Sequence, residues 1–103
     1  MKQPDCRLIL VFPKTLEENI VGHLLQHPEL AGGFTTVEVE GHGKRAVYHS
    51  IVEQVRGRVR RIKMEIVMAR EDAHTLIDHL KESLPTPEVA YWIAPVIEFG
   101  RFA

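Results

Sequence analysis

Seven basic side chains, Lys44, Arg45, Arg56, Arg58, Arg60, Arg61 and Lys63, fall in a stretch that holds a single acid, Glu53. The whole chain has thirteen Lys and Arg against fourteen Asp and Glu, so the remainder is strongly acidic and the net charge is -1. A positive surplus confined to one segment of a near-neutral chain points to recognition of an anion there, and excludes a generally basic protein. Arg56, Arg58 and Arg60 alternate. In an extended strand such residues share a face about 7 Å apart, close enough for several guanidiniums to grip one polyanion. Arginine donates bidentately to phosphate and carboxylate. The competing reading is a solvated strand edge whose charge discourages pairing with other sheets. The setting favours a site: Gly41-His42-Gly43 leads into the segment, and no clean apolar period follows as far as Gly57. Long connections of this sort are uncommon in compact domains and tend to be functional or disordered.

Six histidines in 103 residues raise metal binding as a second chemistry. His23 and His27 are four apart on a helical pattern and supply two ligands where a structural zinc site needs four. His74 and His79, five apart, point to different helix faces. His42, His49 and Glu53 are the better candidates, because a loop can gather ligands around a symmetry axis. Solvated loop histidines are the alternative, since no spaced ligand motif is present. Enzymatic chemistry has no visible constellation: no nucleophile stands beside a base, and Cys6 lies in an apolar run where a lone thiol behaves as a small hydrophobe. Nucleic-acid binding lacks its stacking platform, with only Tyr48 beside the basic stretch and an acidic remainder.

The elements that must position these residues follow from periodicity. Cys6 to Phe12 is apolar on both faces over most of its length, which predicts a central strand. Thr15 and Glu18 have capping-box spacing, and Leu16, Ile20, Leu24 and Leu25 continue a helix over 15–27 before Pro28. Residues 34–40 alternate, with Thr35, Val37 and Val39 opposite Thr36, Glu38 and Glu40. Ile62, Met64, Ile66 and Met68 hold one face of a third strand, and the out-of-phase Val59 predicts a bulge near Arg60. Glu71 and Asp72 open a second helix with Ala73, Leu76, Ile77, Leu80 and Leu84 as its stripe. A last strand runs from Val89 to Phe99, with Pro95 marking an edge or a bulge. This is an α+β chain in the βαββαβ order of the ferredoxin-like fold, with a long loop between strands two and three. Right-handed crossovers place strands one and three in the centre. Residues 1–103 read as one domain, small enough to gain from self-association. The lack of a bilayer-length apolar run or a signal-like start predicts a cytoplasmic location.

With that order in place, Val39-Glu40-Gly41-His42-Gly43-Lys44 and Lys63-Met64-Glu65-Ile66-Val67 resemble the PII-like superfamily, which includes nitrogen regulatory PII and CutA-like proteins. The ending Tyr91-Trp92-Ile93-Ala94-Pro95-Val96 with Gly100-Arg101 is similar to a small branch of it, a domain family of unknown function associated with heavy-metal efflux systems. The resemblance covers about residues 5–101. It implies a homotrimer that is not an enzyme, that binds a small anionic effector or a divalent metal between subunits, and that signals through the loop to a partner protein such as a membrane transporter. By position it implies effector contacts at Gly41, Gly43, Lys63 and Arg101, with Lys44 and Arg45 matching in charge; the arginine ladder, Arg56, Arg58 and Arg60, joins this set from its own spacing. PII proteins wrap nucleotide phosphates with a glycine- and lysine-bearing loop before strand four. Here that connection is Leu84-Pro85-Thr86-Pro87-Glu88, which speaks against PII-style ATP binding and leaves the effector unassigned. Tyr48 is only a loose counterpart of the modified PII tyrosine, and no uridylylation is expected. An adaptor with no small-molecule effector is the alternative function.

Overall fold

The computed structural model describes residues 3–42 and 59–103. Its elements are β1 (Cys6–Pro13), a 3-10 turn (Lys14–Leu16), α1 (Glu17–Gln26), β2 (Thr35–Gly41), β3 (Val59–Met68), α2 (Arg70–Ser83) and β4 (Ala90–Pro95). The four strands form one antiparallel sheet in the order β2-β3-β1-β4. This is the ferredoxin-like arrangement, with β1 and β3 in the centre as right-handed crossovers require and, for β1, as its two-sided apolar pattern requires.

Cys6, Leu8, Leu10 and Phe12 of β1 pair with Met68, Ile66, Met64 and Ile62 of β3, and all eight are buried on the face that receives the helices. Ile20 and Leu24 of α1 and Ala73, Leu76, Ile77 and Leu80 of α2 close this core, flanked by the partly buried Leu16, Phe34, Leu84 and Ile93. Each large apolar side chain fully buried there contributes about 1.5–3 kcal/mol. Ile9 is equally buried on the opposite face, where the register sets it between Glu65 and Trp92.

Local details depart from the sequence pattern in four places. The capping box is not formed. Pro13 is extended, with φ at -60° and ψ at 144°, and the chain first tightens into the 3-10 turn. The α-helix therefore begins at Glu17, with Leu16 before it and no side-chain cap. Glu17 and Glu18 still sit in the first turn, where they complement the macrodipole. There is no bulge near Arg60, because the β2-β3 ladder runs unbroken from Thr35 opposite Glu65 to Gly41 opposite Val59. Strand β4 is shorter than the apolar run suggested and ends at Pro95, which has no N–H to continue the ladder. Finally, α2 takes its cap from far away in the chain. Ala69 offers no side-chain oxygen, and the Arg70 N–H instead donates to Asp5 Oδ1 at 2.8 Å.

Candidate anion-recognition site

Strand β2 ends at Gly41 and β3 begins at Val59, and the ladder sets these two residues opposite each other. Side chains alternate along a strand, so the register sorts the charged residues onto two faces. Arg60 lies across from Glu40 on the helix side of the sheet. Arg61 and Lys63 lie across from Val39 and Val37 on the helix-free side, about 7 Å apart along β3. Lys14 Nζ meets Glu38 Oε2 at 3.2 Å on the helix side, and Arg7 Nη1 meets Glu65 Oε1 at 2.6 Å on the other, so acids accompany the bases on both faces.

Arg61 is held at two points. Its side chain passes directly over Gly41: a β-carbon at that glycine would stand 2.5 Å from Arg61 Nε and 2.6 Å from Cδ. Glycine is needed here for close approach. The guanidinium then donates through Nη1 to the Glu88 carbonyl at 3.1 Å, reaching the connection that precedes β4. This uses one of the five N–H donors of the group. The geometry can present a fixed fork on the helix-free face, with Lys63 one step along the same strand.

The remaining sequence candidates are placed as follows. His42 is exposed at the end of β2. Gly43, Lys44, Arg45, His49, Glu53, Arg56 and Arg58 lie outside the described residues. Arg60 and Lys63 are on opposite faces, and a single chain does not bring them together. Arg101 is at the far end of the sheet, lining a cleft with Thr35, Glu65, Val67 and Phe99. Six residues of strand separate Thr35 from Gly41, about 20 Å. Its guanidinium carbon lies 5.7 Å from the centre of the Phe99 ring. Among the described residues no group of three or more His, Cys, Asp or Glu is placed to hold a metal ion.

Two features are not evident from the sequence pattern. Within the basic run Arg61 has no distinguishing role, although its alternation with Lys63 is visible. His27 and His79 stack with ring centres 4.7 Å apart, and Nδ1 of His27 is 3.2 Å from Glu29 Oε1. The Glu29 carboxyl is held below its usual range by a hydrogen bond to its own backbone N–H and next by the His27 ring. Burial pushes the Cys6 thiol up, with the Asp5 carboxylate adding to the effect and Arg70 opposing it. The thiol points at the Met68 carbonyl, 3.4 Å away, and suits packing rather than nucleophilic chemistry.

Sheet order and the two crossover helices define a PII-like fold. The chain belongs to the DUF3240 family, described as proteins of unknown function, matching it over residues 2–103. A DUF3240 family protein from Shewanella baltica superposes with a TM-score of 0.77 at 19% identity, covering 99% of this chain and 100% of that one. A nitrogen regulatory PII-like protein from Thiomonas intermedia, solved with ADP, AMP and bicarbonate, gives 0.72 at 14% identity, with 96% of each chain covered. A PII-like signalling protein from Thermus thermophilus gives 0.64 at 22% identity over 90% and 87% of the two chains. No curated protein matches the sequence.

Proposed function

We propose that this chain is a non-enzymatic PII-like regulatory protein that senses a small anion at the base of its basic segment and relays occupancy to a partner protein. The observation that carries this reading is Arg61 laid over Gly41, with Lys63 beside it on the same face. That pair stands at the root of the segment that adds Lys44, Arg45, Arg56 and Arg58. The Thiomonas neighbour supports the reading through the anions in its structure, ADP, AMP and bicarbonate. The connection 84–88 lacks the glycine and lysine of nucleotide-wrapping relatives, so bicarbonate, a carboxylate or a nucleoside monophosphate suits this chain better than ATP.

The working assembly is a homotrimer. The helix-free face of the sheet exposes Val37 at 55%, Trp92 at 46% and Val67 at 37%, and exposed apolar side chains set among charged ones on one sheet face support its use as an association surface. In such an assembly the contact near Gly41 that one chain does not make would fall to a neighbour's Arg101. A divalent ion held by His42, His49 and Glu53 is the second effector class, and a heavy-metal efflux transporter is the partner that the family resemblance implies. No helix among the described residues is long and apolar enough to cross a membrane. Light scattering together with a thermal-shift screen of nucleotides, bicarbonate and divalent metals tests the proposal. A trimer stabilised by at least one anion or metal is expected. A trimer that nothing stabilises would leave a protein adaptor, and a monomer at micromolar concentration would overturn the assembly.

A further inference from the structure

The residues that replace the nucleotide-wrapping loop do more than shorten a connection. Leu84 and Pro85 roof a cavity of about 120 Å³ that opens between α2 and β4, with Leu10, Ile20 and Leu80 of the core at its floor. Lys81 and Tyr91 stand at the mouth, the ammonium 5.2 Å from the ring centre. Lys81 is the single charged side chain among the lining residues, and among the described residues it pairs with no carboxylate.

We propose that this cavity binds a short-chain aliphatic monocarboxylate, its tail under Leu84 and Pro85 and its carboxylate on Lys81 Nζ. Size sets the tail: an apolar cavity of about 150 Å³ accepts a benzene-sized guest, so the space here suits about five or six carbons. Charge sets the head. An ammonium held over an aromatic face, at the rim of an apolar space and without an acid to neutralise it, selects an anion over an alcohol of the same length. The Thr86 hydroxyl adds a second donor. Its oxygen accepts the Glu88 N–H at 3.2 Å, and its own proton remains to be donated. A nucleotide is far too large for this space, so the cavity is a separate site from the one at Gly41.

Sodium hexanoate and 1-hexanol serve as probes, followed through the methyl resonances of Leu10, Ile20 and Leu80 in the full chain. Hexanoate is expected to shift these signals saturably and to bind about tenfold more tightly than hexanol. Lys81→Met keeps the aliphatic stem and removes the charge, and should bring hexanoate down to the level of hexanol. The hexanoate response should survive Lys63→Ala, which removes a cation of the anion site without touching the 84–88 connection and so separates failure at this cavity from failure at the anion site. Methyls that do not respond to hexanoate would overturn the proposal, as would equal affinity for the two probes or a Lys81→Met protein that binds hexanoate undiminished. Shifts of the same methyls with protein concentration alone would also overturn it, by showing that a second copy fills the space.

Discussion

Gly41→Ala tests the packing on which the site rests. The new β-carbon would lie 2.5 and 2.6 Å from Arg61 Nε and Cδ, against about 3.5–4.0 Å for carbon contacts at their optimum. Arg61 must therefore move by roughly 1 Å, and its 3.1 Å hydrogen bond to the Glu88 carbonyl is broken. A hydrogen bond from a charged donor is worth about 1.5–3 kcal/mol; partial exposure reduces this one to about 1 kcal/mol. The glycine has no positive φ that would penalise alanine. The substitution consequently gains about 0.4–1 kcal/mol by restricting the unfolded chain, and the two effects nearly cancel. In an Arg61→Ala background the clash is absent, and the same substitution should stabilise by about 0.4–1 kcal/mol. The coupling energy of the Gly41–Arg61 double-mutant cycle, from urea unfolding of all four proteins, should be about 1 kcal/mol. Additive single effects would mean that the glycine is not there for Arg61.

Three further outcomes follow from the fold. Asp5→Ala should cost about 1 kcal/mol in thermal unfolding by removing the acceptor for the Arg70 N–H, and Asp5→Asn should recover much of it. The Cys6 thiol is raised by burial, so as pH rises through the ordinary thiol range the unfolded chain loses its proton first and folding stability falls. Comparison with Cys6→Ala in urea at pH 7 and pH 10 should show a steeper loss for the native protein, and parallel losses would count against it. Trp92→Lys, on the helix-free face, should convert a trimer to a monomer by light scattering, whereas an unchanged mass would place the interface elsewhere.

The sheet was legible in the sequence because burial dictates it. Alternating Leu8, Leu10 and Phe12 with Ile9 on the other face specify a strand covered on both sides, and Pro95 can be accommodated only near an edge or an end. The start of α1 was not legible, since Thr15 and Glu18 satisfy a local rule that Pro13 overrides by directing the chain into a tight turn first. The bulge expected near Arg60 came from assuming that Val59 must share the phase of Ile62; at the last pair of a ladder, that phase imposes little. Contacts between residues distant in sequence carried no local signal. Asp5 capping α2 and His27 stacked on His79 depend on how β1 and α1 meet α2. Among the candidate residues, Gly41 and Lys63 are marked by motif; of those marked by alternation, Arg60 lies on the helix side of the sheet and Arg56 and Arg58 lie outside the described residues. Arg61 was hidden inside the charge run because its distinction is geometric: it leans over the glycine.

Whether an anion is held by a built site is decided by the melting temperature of the native protein, of Arg61→Ala and of Arg58→Ala, each titrated with AMP, ADP and bicarbonate. A ligand at ten times its Kd stabilises the folded state by about 1.4 kcal/mol, several degrees for a domain of this size. The expected result is that at least one of these anions raises the melting temperature of the native protein. Each arginine substitution should shift the titration to roughly ten- to hundred-fold higher concentration, and Arg58→Ala should leave the ligand-free melting temperature unchanged. Arg58→Lys should recover only part of the binding, because an ammonium cannot donate bidentately. Stabilisation by an anion that persists undiminished in both variants, or that added salt alone abolishes, would contradict a built site and leave only a diffuse positive field.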